Sequence, residues 1–258
     1  MRPILVVFML FTLTACGMFG SKPDADNPSK TATAEVLYND AKKSLDKDDF
    51  EQAIKQLETL QSRYPYGRYA QQAQLDIAYA YYRQSEPESA ISAADSFIKQ
   101  YPNNPHVDYA YYVKGLANFN SGIGALGRTF KQDPTERDPQ AERDSFAAFK
   151  DLVSRFPASR YVPDSRLRMQ YLLDALAKYD IHVAKYYLRR GANIAAVNRA
   201  KEVLTQFPNT PSIQDALQVL VQGYDALGMD KLRDDARRVL NQNFPAATKA
   251  DMISANSR

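Results

Sequence analysis

The chain is poor in the residues that build catalytic and metal sites. Its 258 residues include one cysteine and two histidines. A lone cysteine excludes disulfide bonds within the chain and zinc sites built on several cysteines. His106 and His182 lie far apart in sequence, and there is no HExxH metal motif, no glycine-rich phosphate loop and no nucleophile elbow. We therefore predict that the protein is not an enzyme and holds no metal or cofactor.

Glycine content and net charge are also low. The chain has 10 glycines, and no long segment alternates polar with apolar residues, so the signals of β-strands are absent. The formal net charge is +3, and it falls to +2 when an N-terminal signal that contains Arg2 is removed. A net charge this small does not indicate a surface that binds nucleic acid. These features predict an all-α protein that does not bind DNA or RNA.

What the chain has instead is an internal repeat that ends in an aromatic residue followed by proline. The dipeptide occurs five times, at Tyr64-Pro65, Tyr101-Pro102, Phe156-Pro157, Phe207-Pro208 and Phe244-Pro245. Small and apolar residues precede each proline at steps of four and three, on one face of a helix. Proline ends that helix because it has no N–H and clashes with the preceding turn. Arg233 and Arg237 take two of these positions in the last segment, which suits a terminal repeat with a solvated outer face.

A second helical pattern follows each proline, so each unit is a helix–turn–helix pair. After Pro65 this pattern consists of Leu75, Ala78, Tyr79 and Tyr82. A period near 37 with small residues in the helices is typical of tetratricopeptide repeats. We predict an all-α tetratricopeptide-repeat solenoid of five pairs, which stack because no pair can bury its apolar face alone. Asn104-Pro105 and Thr210-Pro211 are each expected to place a cap residue before proline at the first helical position.

Two of the intervals between prolines, of 55 and 51 residues, exceed the usual 37. The third pair contains an insertion between Phe119 and Ser145, which we expect to be an ordered loop against the repeats that ends in Asp138-Pro139 as a helix start. The fourth pair keeps its helical period from Pro163 to Gly191. Its first helix is therefore predicted to be extended by about 21 Å.

The N-terminus has the features of a secretory signal. Arg2 precedes an apolar run from Ile4 to Leu13 that is too short to cross a bilayer as a helix. The run ends in Leu13-Thr14-Ala15-Cys16, which resembles the lipobox of bacterial lipoproteins. That resemblance implies a signal peptide over residues 1–15 and a lipid on Cys16. The alternative is a plain signal peptide followed by an incidental cysteine.

Residues 16–33 are polar, contain glycine and proline and lack periodicity. They are predicted to be a lipidated flexible tether that spans roughly 20–25 Å on average. Cys16 is followed by Gly17, whereas aspartate at this position commonly retains lipoproteins in the inner membrane. The absence of aspartate implies a protein that is anchored to the outer membrane and faces the periplasm.

Charge and aromatic residues indicate two kinds of binding surface. Between Arg160 and Lys201, nine basic residues stand against three acidic ones. The basic residues of this stretch include Lys185, Arg189, Arg190 and Arg199. The excess predicts an acidic partner surface, with a merely solvated helix face as the alternative. The chain also has 17 tyrosines, and those on the concave side would suit an extended peptide.

Several sequence blocks bring a known family into view. They are RYPYGRYAQQAQLDIAYAYY from Arg63, ERDPQ from Glu136, LAKYDIHVAKYYLRRGA from Leu176 and AVNRAKEVL from Ala196. Together with the lipobox they resemble the BamD family, also called ComL, of lipoproteins that assemble outer-membrane β-barrels. The blocks that begin at Glu136 and Leu176 are absent from generic tetratricopeptide proteins.

The resemblance implies a non-enzymatic scaffold that binds the periplasmic POTRA region of BamA and helps recruit unfolded outer-membrane proteins. Other lipoproteins of the BamC and BamE type are implied as further partners. Residues 34–102 would then face substrate and residues 103–245 would face BamA, with a polar tail over residues 246–258. A pilotin-like lipoprotein that guides a secretin is the alternative function, and a wall-linked hydrolase would need an acid–base pair or a metal site.

The resemblance also implies roles for particular residues. Arg63, Tyr64, Pro65 and Gly67 belong to the substrate-side block, and Arg199 matches a family arginine on the BamA side. Because every repeat has the aromatic–proline dipeptide, Tyr64 and Pro65 have the alternative role of only ending a helix.

Overall fold

The computed structural model describes residues 32–123 and 138–245, which form ten helices and contain no β-strand. The helices are α1 (Ala34–Asp46), α2 (Phe50–Arg63), α3 (Arg68–Arg83), α4 (Pro87–Gln100), α5 (Val107–Ile123), α6 (Gln140–Arg155), α7 (Val162–Arg189), α8 (Asn193–Gln206), α9 (Ile213–Ala226) and α10 (Asp230–Asn243). The predicted signal peptide, Cys16, nearly all of the tether, most of the insertion and the tail lie outside the described residues.

The ten helices pack as five consecutive pairs, from α1–α2 to α9–α10. Each helix packs mainly on the next one along the chain, and the first helices of neighbouring pairs also touch, α1 with α3, α3 with α5 and α7 with α9. The predicted all-α solenoid of five pairs is therefore confirmed. The insertion falls in the third pair, and α7 of the fourth pair has 28 residues where the other helices have 13 to 17.

All five aromatic residues that precede proline end a helix in the same way. Their φ angles lie between −133° and −127° and their ψ angles between 50° and 71°. Each donates its N–H to the carbonyl four residues earlier, as Tyr64 does to Leu60. These angles are not helical, because the proline ring clashes with a preceding residue in the α conformation. The predicted end of the helix before each proline is confirmed. The residue that leaves the helical conformation is the aromatic residue itself.

Three links between pairs share a double turn that the sequence did not predict. The Tyr101 carbonyl accepts from Asn104 N–H, and the Asn104 carbonyl accepts from Val107 N–H. The same pattern joins Phe156, Ser159 and Val162, and again Phe207, Thr210 and Ile213. The expectation that Pro105 and Pro211 occupy the first helical position is wrong. Both prolines lie inside the second turn, so their helices begin two residues later.

The repeat positions on the second helices form the core. Ala53, Ala90, Ser145 and Ala196 are fully buried, as are Leu57, Ala94, Phe149 and Ala200. Burying a leucine or phenylalanine side chain stabilises a protein by about 1.5–3 kcal/mol, so these positions are a large part of what holds each pair together. In α10 only Ala236 and Leu240 are buried. Arg237 is half exposed and Arg233 binds three aspartates, in agreement with the solvated outer face predicted for the last repeat.

Helices α5 and α6 approach each other closely at Gly115. The Phe149 ring lies against its Cα, so that a Cβ there would stand 2.5 Å from the ring. The hydroxyl of buried Ser145 also donates to the Gly115 carbonyl at 2.9 Å. Phe149 is itself fully buried, so its ring is enclosed by other residues on all sides. Only glycine allows this approach.

The variant Gly115→Ala is therefore expected to lose about 1–3 kcal/mol of unfolding free energy through overpacking, in spite of alanine's better helix propensity. Urea unfolding followed by circular dichroism measures this change. Asn120→Ala, at an exposed position of the same helix, is the control and should change stability by less than about 0.5 kcal/mol. A Gly115→Ala protein as stable as the wild type would show that the Phe149 ring can move aside.

Candidate protein-binding surfaces

The predicted substrate block forms the exposed link between α2 and α3. Tyr66 exposes 90% of its surface and Tyr64 exposes 38%, whereas Phe207, at the equivalent position to Tyr64, exposes only 6%. The Tyr64 hydroxyl donates to the Ala32 carbonyl at 3.0 Å, which ties the link to the chain just before α1. Tyr64 thus ends a helix as in every repeat and in addition presents its ring to solvent. The helix-stop role accounts for its backbone but not for this exposure.

The other residues of this link set its backbone and its charge. Gly67 has φ 97° and ψ −179°, a conformation that is essentially restricted to glycine. Arg63 and Pro65 are exposed, and the Arg68 guanidinium lies 4.7 Å from the centre of the Tyr69 ring. Tyr66 was not among the predicted site residues. Its place between Pro65 and Gly67, at the tip of a tight link, is the sequence signal that could have identified it.

A groove of about 520 Å³ runs along the first helices of the first three pairs to the start of α7. Tyr79 of α3, Tyr109 of α5 and Tyr161 line it, so three of the chain's tyrosines face a shared surface. Charged residues of both signs also border the groove, namely Lys42, Asp46 and Arg160. The groove therefore offers ring faces to apolar groups and hydrogen-bonding tips to a peptide backbone.

The wall of this groove contains a buried carboxylate that was not predicted. Asp76 is 7% exposed and accepts hydrogen bonds from Tyr38 Oη at 2.8 Å and from Gln72 Nε2 at 3.0 Å. Burial raises the pKa of the Asp76 carboxyl above its ordinary value, although the two hydrogen bonds act in the opposite direction. Burial and the Asp76 charge also raise the pKa of the Tyr38 hydroxyl. Asp76 thus joins α1 to α3 beneath the groove.

Aromatic and ionic contacts connect the third pair to the fourth. The Tyr112 ring stacks on Tyr161 at 4.6 Å, and its hydroxyl donates to Asp164 Oδ2 at 2.8 Å. Arg168 also donates to Asp164, at 2.6 Å. Burial, together with the hydrogen bond to Asp164, raises the pKa of Tyr112 to about 12. Arg168, part of the predicted basic stretch, therefore serves the packing between pairs.

Three of the four predicted partner-binding residues lie where α7 ends. Lys185 and Arg189 lie in its last turns, and Arg190 is the residue that caps it. Lys185 binds Asp215 of α9 at 3.0 Å, and Arg189 lies 6.0 Å from the centre of the Tyr186 ring. Tyr186 and Ile194, which are 47% and 66% exposed, add apolar surface to this basic end. The nine basic residues of the stretch thus do not form one patch, since Arg160 borders the groove and Arg168 is paired.

Arg199 of α8 reaches from the surface to a buried carboxylate on α7. Its Nη1 lies 3.4 Å from Asp180 Oδ1 and 3.2 Å from Glu202 Oε2. The Asp180 side chain is 4% exposed, whereas that of Arg199 is 34% exposed. Burial raises the pKa of the Asp180 carboxyl above its ordinary value, while the charges of Arg199 and Arg143 oppose that rise. The tertiary structure therefore gives the predicted Arg199 a partner inside the protein.

Within residues 32–123 and 138–245, no three His, Cys, Asp or Glu side chains lie close enough together to hold a metal ion. No helix of the same residues is long and apolar enough to cross a membrane.

Comparison with known proteins agrees with the blocks noted in the sequence. The model of the YfiO family, described as outer membrane lipoprotein, matches residues 30–239. The chain belongs to this family. Among curated YfiO relatives, the outer membrane protein assembly factor BamD of Neisseria meningitidis serogroup B is 40% identical over 242 residues, or 94% of this chain and 91% of that protein. The resemblance to BamD is thereby confirmed.

Relatives of lower identity have the same name, outer membrane protein assembly factor BamD. BamD of Xylella fastidiosa (strain Temecula1) is 35% identical over 94% of this chain and 80% of its own length. BamD of Vibrio cholerae is 34% identical over 80% of this chain and 86% of its own. The crystal structure of MamA protein covers 80% of this chain and 86% of its own at 17% identity, but its TM-score of 0.35 is too low to support any conclusion.

The backbone of the α2–α3 link leads to a test of Gly67. Gly67→Ala is expected to lose about 1–3 kcal/mol of unfolding free energy, because alanine is strained at this φ although no atom lies within 4 Å of its Cβ. Tyr66→Ala, one residue earlier and fully exposed, should stay within about 0.5 kcal/mol of the wild type. Urea unfolding of the two variants side by side measures this, and equal stabilities would mean that the link relaxes without cost.

Proposed function

We propose that this protein is a non-enzymatic scaffold of the machinery that assembles β-barrel proteins in the outer membrane. Relatives that share up to 40% of its residues over nearly the whole chain are named as assembly factors of that membrane. The observation that best supports the proposal is where the family blocks lie. Tyr64 and Tyr66 are 38% and 90% exposed on one link, and the Arg199 side chain is 34% exposed on the fourth pair.

The N-terminal repeats, residues 34–102, are proposed to receive unfolded outer-membrane proteins. The exposed rings of Tyr64 and Tyr66 offer rigid apolar area, and Arg63 beside them offers positive charge. Pro65 and Gly67 shape the link that presents these rings. Helix α3 begins at the link and contributes Tyr79 to the groove, so an extended segment could contact both. An aromatic residue near the end of the substrate is the group that these rings fit.

The C-terminal repeats, residues 103–245, are proposed to bind the POTRA region of BamA. Arg199 supplies a partly exposed guanidinium, and Arg189 and Arg190 supply positive charge at the end of α7. Lys185 is already paired with Asp215, so it contributes charge rather than a free ammonium group. An acidic surface with some apolar area is the partner that this end fits. Lipoproteins of the BamC and BamE type are proposed as further partners.

Lipidation of Cys16 is proposed to hold the scaffold at the periplasmic face of the outer membrane. Several acyl chains on one residue satisfy the two-signal requirement for stable anchoring. A tether of residues 16–33 would leave the repeats close to the membrane without fixing their orientation. The alternative of a pilotin-like lipoprotein receives no support from the relatives named above, which are all assembly factors.

Depletion in the living cell tests this function. Lowering the protein level is expected to reduce the amount of folded β-barrel proteins in the outer membrane, because their assembly would lose its scaffold. Heat-modifiable mobility on gels measures folded barrels, and a helical inner-membrane protein serves as the control. Expression of the wild-type chain from a plasmid should restore the barrels. Unchanged barrel levels after depletion would contradict the proposal.

The proposed substrate link is tested with a synthetic peptide that has an aromatic residue at its C-terminus. Tyr66→Ala should weaken binding about threefold to tenfold, the cost of one truncated aromatic contact of roughly 1 kcal/mol. Fluorescence anisotropy of the labelled peptide measures the affinity. Tyr171→Ala removes a tyrosine that is 53% exposed on α7, outside the link and groove, and is the matched control. Equal effects of the two variants would exclude a specific role for the link.

A further inference from the structure

Among the described residues, Arg199 is hydrogen-bonded through a single nitrogen of its guanidinium group. Both hydrogen bonds that it makes to described residues leave from Nη1, to Asp180 and to Glu202. A guanidinium has five N–H donors in a planar fork, and that fork matches the two oxygens of a carboxylate. The hydrogen bonds of Arg199 thus leave Nε and Nη2 available for a second carboxylate.

The anchor of this arginine is a costly residue for stability alone. Asp180 is 3% exposed, and removing a carboxylate from water is expensive unless its ion pair is close and well hydrogen-bonded. The contact to Arg199 is 3.4 Å long, and Arg143 of α6 adds only its charge. A well-packed neutral residue would stabilise α7 at least as well. The carboxylate is instead one of the two groups to which the Arg199 guanidinium hydrogen-bonds.

Two of the blocks that resemble the family meet at this carboxylate, and a charged residue near a third block lies close to it. Asp180 belongs to the block that begins at Leu176, and Arg199 to the block that begins at Ala196. Arg143 follows the ERDPQ block by three residues and lies near enough to lower the pKa of Asp180. Charged residues from three segments that are distant in sequence therefore lie together, at the buried carboxylate of Asp180 and around it.

We propose that Asp180 is the positioning residue of a docking arginine. It holds Arg199 through Nη1, with Glu202 beside it, so that the Nε and Nη2 edge faces a carboxylate of the partner. The inference rests on the proposed function, because it takes the POTRA region of BamA as the acidic partner. Asp180 itself does not touch the partner. Because Asp180 already restricts the Arg199 side chain in the free protein, less conformational entropy is lost when the partner binds.

Binding of the mature full-length protein to the purified POTRA region of BamA from the same organism tests the proposal, by calorimetry at 0.15 M salt. Asp180→Asn should weaken binding about twofold to tenfold, the cost of immobilising one long side chain. Its melting temperature should stay equal to that of the wild type or rise, because a buried charge is removed. Asp180→Glu keeps the negative charge and should recover most of the affinity.

A double-mutant cycle with Arg199→Met separates positioning from a structural role. Arg199→Met should weaken binding at least as much as Asp180→Asn, and the double variant should bind no more weakly than Arg199→Met alone. Methionine is used because a glutamate would repel Asp180 and Glu202 inside the fold. Lys178→Met removes an exposed charge from the same helix and is expected to change binding less than twofold.

Three results would overturn the inference while the proposed function stands. They are an Asp180→Asn effect that persists in the Arg199→Met background, a loss of affinity that accompanies a fall in melting temperature, and an Arg199→Met protein that binds as the wild type does. Failure of the folded wild-type protein to bind the POTRA region is a different outcome. It would overturn the proposed partner, and the positioning role with it, before any variant is compared.

Discussion

The proline ring clashes with a preceding residue in the helical conformation, and the architecture of the protein depends on this steric constraint. It acts five times, always on an aromatic residue, and each time a second helix ends at the same φ and ψ. In three of these cases the carbonyl of the aromatic residue accepts the first hydrogen bond of a double turn. That turn connects the helix to the next pair. Because the stop is so reproducible, the three pairs that follow these links begin in the same way, and the second helices bury residues at equivalent positions.

The candidate binding surfaces lie where the chain departs from this regular pattern. Phe207 buries its ring, whereas Tyr64 at the equivalent position exposes its own, and Tyr66 follows it into solvent. The 28-residue α7 is longer than any other described helix and places Asp180 beneath Arg199. These departures add little to the core, since the positions of the repeat already supply it. A repeat protein can therefore vary its surface without losing the stacking that keeps it folded.

Much of the fold followed from the sequence because helical periodicity and proline act locally. The buried positions of the second helices, the place of the insertion and the extended fourth pair were all predicted. The starts of α5 and α9 were not, since a double turn that involves Asn104 or Thr210 competes with capping. Arg63, Tyr64, Pro65 and Gly67 were singled out through resemblance, but the exposure of Tyr66 depends on how the link lies on the folded pairs. Their roles in binding stay predictions.

By itself, the sequence determined the helices, the prolines at which the second helices stop and the grouping into five pairs, because these depend on interactions within a few residues. Only the tertiary structure decided which charges are free and which are paired. Asp180 stands 19 residues before Arg199 and on another helix, and Asp76 meets Tyr38 across 38 residues. Contacts of this kind have no local signal, since they require two helices to pack at one register. That packing pairs Arg199, one residue of the basic stretch, with a buried carboxylate while 34% of its side chain stays exposed.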